Sequence, residues 1–142
     1  MPYMRMLFAA TLIALTTGCA SGLNSYQKSE YAYFKSKGMV VEEKNPGAGA
    51  ALGLLPGGGS FYGREYGFGV VNLLFWPLSI LWDPISGYDA STTINYHATK
   101  EHVASLQSKE MDELDSSLAT GELTMAQYTL AKRKIDKKYR YN

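Results

Sequence analysis

The sequence predicts a mainly α protein built from a short helix, a glycine-rich apolar hairpin and a C-terminal αα-hairpin. Three observations carry that prediction. Apolar side chains recur at spacings of three and four around residues 26–34, 103–118 and 125–139, the period of one helix face. Start and stop residues bracket those stretches: Asn24 or Ser25 before the first, Gly38 after it, Thr120-Gly121 after the second, and Thr124 before the third. Nine of the 14 glycines fall between Gly47 and Gly69, directly ahead of a charge-free run ending at Trp82.

Composition bounds the rest. The chain has 142 residues, enough for one small domain with appendages. Its 14 Lys/Arg nearly cancel its 13 Asp/Glu, so it carries no uniform basic field for a phosphate backbone, and no nucleic-acid partner is expected. Cys19 is the only cysteine, which excludes a disulfide within the chain.

The N-terminus sets Arg5 before Met6–Leu15, ten residues without a charge. As a helix this core spans about 15 Å, half of a bilayer's hydrocarbon, so residues 1–18 read as an export signal and not as a membrane span. The segment closes on Leu15-Thr16-Thr17-Gly18-Cys19, small residues ahead of a thiol. It resembles the lipobox of bacterial lipoproteins. That resemblance implies cleavage before Cys19 and lipidation of its sulfur, making Cys19 the acylated N-terminus and the lipid bilayer a partner. Two chains suffice for stable anchoring, at about 0.8 kcal/mol per buried methylene. By the same resemblance, Ala20 directs a lipoprotein of Gram-negative bacteria to the outer membrane, facing the periplasm. The other reading is an ordinary signal peptide cut near Ala20, which discards the cysteine.

Beyond the signal the charges balance at 13 against 13, and the chain divides into residues 19–46, 47–90 and 91–142. The first segment is a tether followed by a helix to about Ser36. Tyr26, Glu30, Tyr33 and Phe34 share one face of it, a stripe that reads as packing. Met39-Val40-Val41 is expected as a short strand, ended by Asn45-Pro46.

In residues 47–90, spacings of four at Gly49-Gly53-Gly57 and Gly59-Gly63-Gly67 offer a flat strip to another backbone, interrupted at Pro56-Gly57-Gly58-Gly59. Phe68–Trp82 is 15 residues without a charge and contains Pro77, too short and broken for a clean span. Two apolar arms, Ala48–Leu55 and Phe68–Trp82, are therefore expected to form a hairpin. Buried core and insertion into one leaflet both stay open for it. Phe61, Tyr62, Phe75, Trp76 and Trp82 are the candidate membrane or partner contacts. Phe61-Tyr62-Gly63 with Gly67 or Gly69 and Trp82-Asp83 resembles the TM2-type hydrophobic hairpin. Asp83-Pro84-Ile85-Ser86-Gly87 is expected as a turn.

In residues 91–142, Val103, Leu106, Met111, Leu114 and Leu118 line one helix from Ile94 to Leu118. A second helix opens at the capping box Thr124-Met125-Ala126-Gln127 and carries Met125, Tyr128, Ala131, Ile135 and Tyr139. Acidic residues precede the turn and basic ones follow it, which favours antiparallel pairing. The stretch Met111-Asp112-Glu113-Leu114…Gly121-Glu122-Leu123-Thr124…Tyr128…Lys132 resembles the SHOCT module, and the resemblance implies a small packing or assembly unit.

No reaction chemistry stands out. The loop Gly58–Glu65 lacks the Lys and Ser/Thr of a phosphate-binding loop, and no serine sits in Gly-x-Ser-x-Gly. His97 and His102 are five apart, off the spacing that shares a metal. No cofactor, metal or catalytic residue is expected. The expectation is a non-enzymatic structural or interaction protein of the cell envelope, lipid-anchored, with a protein partner or a second copy of itself. The alternatives are an envelope hydrolase or ligand-binding protein using Asp83, Arg64 or His97, and an integral hairpin of the inner membrane.

Overall fold

The computed structural model describes residues 22–141, so the export signal and Cys19 lie outside the described residues. It is mainly helical, with six α-helices and no strand among the described residues. In chain order these are α1 (Ser25–Ser36), α2 (Pro46–Leu52), α3 (Gly58–Tyr62), α4 (Tyr66–Leu74), a 3-10 turn (Leu78–Leu81), α5 (Asp83–Ala119) and α6 (Met125–Tyr139).

Helix α5 is the spine. Its 37 residues give a rod about 55 Å long. The N-terminal half receives the short glycine-rich helices, and the C-terminal half pairs with α6. Helix α1 packs where α5 and α6 meet.

That second region holds the larger apolar core. Phe34 from α1, Val103 from α5 and Tyr139 from α6 are buried together, with Met39, Val40, Leu106 and Ile135 packed around them. The bounds of α1, the end of α5 and the start of α6 follow the caps expected from sequence. Asn24 and Gln27 form a capping box at α1, and Gly38 leaves that helix at φ +68°, a conformation glycine adopts without strain. Thr124 and Gln127 form the corresponding box at α6. The two long helices run antiparallel: Lys138 forms an ion pair with Glu110, Tyr139 Oη donates to Glu110 at 2.8 Å, and Tyr128 Oη donates to Asp115 at 2.8 Å. The acidic and basic blocks therefore meet across the pair.

Three sequence expectations change. Met39–Val41 forms no strand, because no second strand offers it a ladder. The side chains of α5 take that place: Val41 N–H donates to Thr99 Oγ1 at 3.0 Å, Lys44 N–H donates to Asn95 Oδ1 at 2.8 Å, and Asn95 Nδ2 donates back to Lys44 C=O at 2.7 Å. Asp83–Gly87 is the first turn of α5 and not a reversal, since Pro84 has no N–H to lose there. The spine consequently starts at Asp83, 11 residues before Ile94, and crosses residue 90 without a break. The arm expected at Ala48–Leu55 falls in α2, the arm expected at Phe68–Trp82 is divided between α4 and the 3-10 turn, and α3 lies between them, for Pro56, the glycine run and Pro77 each interrupt a helix.

The glycine strip has a backbone partner, and it is the spine itself. A Cβ on Gly49 would lie 2.4 Å from Gly87 C=O, and one on Gly87 would lie 2.3 Å from Gly49 C=O. Gly53 faces Pro84 and Gly63 faces Ala90 in the same manner. Helices α2 and α3 thus lie close on α5, at a separation that needs glycine on their side throughout and on both sides where Gly49 meets Gly87. Gly57 and Gly67 leave the strip: Gly57 turns the chain at φ +68°, and nothing lies within 4 Å of a Cβ on Gly67.

Candidate functional site

Two features of the glycine-rich half concentrate unusual chemistry, a buried polar cluster and the apolar surface around it. The cluster begins with helix α3. Its N-cap is Gly57, which has no side chain to satisfy the first-turn N–H groups. Asp83 supplies the missing acceptor from the first turn of α5. Its Oδ2 accepts from Gly59 N–H at 3.1 Å, and its Oδ1 accepts from Ser60 N–H at 3.1 Å and Ser60 Oγ–H at 2.6 Å. One carboxylate therefore faces the positive ends of two helices.

Asn72 of α4 completes the cluster. Its Nδ2 donates to Asp83 Oδ1 at 2.7 Å and lies 2.9 Å from Ser60 Oγ, while its Oδ1 accepts from Trp82 Nε1 at 2.8 Å. Asp83, Ser60 and Asn72 are fully buried. No substrate reaches the Ser60 hydroxyl in this state, so the cluster joins three helices and presents nothing to solvent. Glu65 lies beside it. Burial, and after it the charge of Asp83, pushes the Glu65 carboxyl up to about 7. Its Oε2 is buried without a hydrogen-bond partner among the described residues.

Much of the surface around this cluster is apolar. Leu54 and Leu55 before α3, Val70, Leu73 and Leu74 on α4, Phe75, Trp76, Leu78 and Leu81 after it, and Ile85 and Tyr88 on α5 are all exposed. Leu74 and Leu81 are 76% and 75% exposed, values usual for a charged residue and not for a leucine. No charged residue occurs between Tyr66 and Trp82.

The five sequence-predicted contact residues separate into two groups. Phe75, Trp76 and Trp82 are exposed at 56%, 49% and 37%. Phe61 and Tyr62 serve internal packing instead. The Phe61 ring lies against Gly57 and Gly69, and Tyr62 Oη accepts from Asn45 N–H at 3.1 Å beneath the Lys44 ammonium, 4.5 Å from the ring centre. Their spacing in α3 turns them toward neighbouring helices, so they contribute little to the apolar surface.

Arg64, His97 and Asp83 are not brought together. Arg64, at φ +64°, forms an ion pair with Glu43 and lines a cleft of about 290 Å³ that also includes His97 and Glu101; Asp83 is absent from it. His97 and His102 are both exposed, and no group of three or more His, Cys, Asp or Glu suited to a metal occurs among the described residues. No described helix is long and apolar enough to cross a membrane.

A second polar network lies between α1 and α5. Glu30 is buried and accepts from Tyr96 Oη at 2.5 Å and Lys100 Nζ at 2.8 Å. Burial drives the Glu30 carboxyl upward, but the bonds from Lys100 and Tyr96 outweigh it and hold the group below its ordinary value. Burial and the bond to Glu30 push the Tyr96 phenol up to about 12. An open polar cleft of about 510 Å³ lies beside this network, lined in part by Tyr26, Lys100, Asp136 and Arg140.

Sequence reasoning missed the Asp83–Ser60–Asn72 cluster, whose members lie 11 to 23 residues apart. One signal was available: Asn72 interrupts the apolar run Val70-Val71-Asn72-Leu73-Leu74, and an amide there needs partners inside the fold. No protein-family model, no curated protein and no solved structure matches this chain.

Proposed function

We propose that the chain is a lipid-anchored protein of the cell envelope, non-enzymatic, held by acylated Cys19 at the outer membrane facing the periplasm, where it acts as a structural or interaction protein. The observation that carries this reading is the large exposed apolar surface at the glycine-rich end, on a body whose most buried polar cluster serves only to hold helices together. The sequence Leu15-Thr16-Thr17-Gly18-Cys19 behind an uncharged export core supplies the means of anchoring. The charged αα-hairpin of α5 and α6 stands at the far end of the spine and is available to a protein partner or a second copy.

The test is cell fractionation with an alkaline wash. Wild-type protein is expected to stay with the membranes through the wash, whereas Cys19→Ser is expected to be stripped by it or to remain unprocessed. Equal retention of both forms, with no acyl mass on the wild-type N-terminal peptide, contradicts the anchor.

A further inference from the structure

We infer that the apolar end of the body itself enters the lipid interface, as a second membrane contact beside the acyl anchor. This rests on the anchored reading for its source of lipid, but not for its geometry. The apolar residues form one end of the molecule. Leu54 and Leu55 lead into Gly57, which sits against the Gly69 backbone of α4. Asn72 of the same helix holds Trp82 at 2.8 Å, and Ile85 follows one turn later on the spine. The exposed side chains of α4, the 3-10 turn and the start of α5 therefore adjoin.

A lipid surface is the occupant because of where the chain enters. Gly22 packs on the Asp89 side chain, where a Cβ would lie 2.7 Å from Cγ. Asp89 is six residues from the start of α5, a rise of about 9 Å. Cys19 is three residues before Gly22, so covalent geometry keeps it within about 11 Å of that point. On the anchored reading the acyl chain therefore starts within reach of the end of the spine that carries the apolar surface.

The charges agree. Asp83 is sealed inside, Arg64 is paired with Glu43, and the run from Tyr66 to Trp82 has no charge at all. Such a surface enters lipid by apolar burial and not by attraction to anionic headgroups. Trp76 and Trp82 suit the interface, where an indole keeps one edge polar.

These are the only two tryptophans in the chain, so their emission reports this end alone. The natural mature protein is purified in detergent and reconstituted into phosphatidylcholine vesicles with or without dibrominated acyl chains. The expected result is at least a twofold loss of tryptophan emission in brominated vesicles, unaffected by salt. Replacing both Leu74→Glu and Leu81→Glu, at positions too exposed to disturb the fold, should restore most of it while helicity by circular dichroism stays unchanged. Equal emission in both vesicle types overturns the inference. So does an emission shift that depends on protein concentration without bromine quenching, since the surface then covers a second copy. The mass of the N-terminal peptide is read on the same sample. A bare thiol together with quenching overturns the anchor and leaves the second contact standing.

Discussion

The Ser60 hydroxyl donates to Asp83 Oδ1 at 2.6 Å, and this bond ties the N-terminus of α3 to the N-terminus of the 37-residue spine. The two residues are 23 apart in sequence and fully buried. The carboxylate replaces the cap that Gly57 cannot provide, and through Asn72 it fixes the indole of Trp82 at the rim of the apolar surface.

Asp83→Ala leaves two backbone N–H groups, a hydroxyl and an amide without their acceptor in a fully buried site. Stability is expected to fall by about 3 kcal/mol or more, because each buried donor left unpaired costs about 1–3 kcal/mol. Asp83→Asn keeps one acceptor oxygen and should cost less. Urea unfolding followed by circular dichroism measures both.

Gly87→Ala places a methyl 2.3 Å from the Gly49 carbonyl, where backbone has to move. The expected cost is about 1–3 kcal/mol, the range for overpacking. Gly67→Ala is the control, on a helical site with open space around it. It should stabilise by up to about 1 kcal/mol through helix propensity. Thermal melts of the pair should shift in opposite directions.

Glu65 predicts a pH dependence of known sign. Its carboxyl binds a proton more tightly in the folded chain, at about 7, than at the ordinary 4.5. The folded state is therefore favoured by this group below 4.5, and the benefit is lost as pH rises through about 7. Glu65→Gln should match wild type at pH 4 and exceed it at pH 8, by about 1–3 kcal/mol after allowance for partial exposure. Melting curves at the two pH values decide the matter, and identical differences at both contradict the assignment.

Asn95 clamps both backbone polar groups of Lys44, and Asn95→Ala removes both partners. Stability should fall by about 1–3 kcal/mol. Amide exchange at Lys44 should accelerate more than exchange in α6, which places the loss in the extended segment.

Local signals account for what the sequence made legible. Asn24, Gly38, Thr120-Gly121 and Thr124-Gln127 act on their own turns, so α1 and α6 and the end of α5 follow from residue type alone. Asp83-Pro84-Ile85-Ser86-Gly87 was ambiguous for the same reason that it is informative. Proline is as compatible with the first turn of a helix as with a bend, and Gly87 serves close packing as readily as reversal. The choice depends on Gly49 and Gly53, more than 30 positions away. Met39–Val41 has the composition of a strand but meets a helix. The exposed leucines were legible as an apolar run, while which of the five candidate aromatics point outward depended on where α3 packs.

Lipid on one sulfur is the claim from which place and role both follow, and the intact mass of the protein isolated from its native membranes measures it most directly. A chain beginning at Cys19 and carrying the added mass of a diacylglyceryl group and an amide-linked acyl chain is the predicted result. A chain with an unmodified thiol, or one that begins after Cys19, contradicts it.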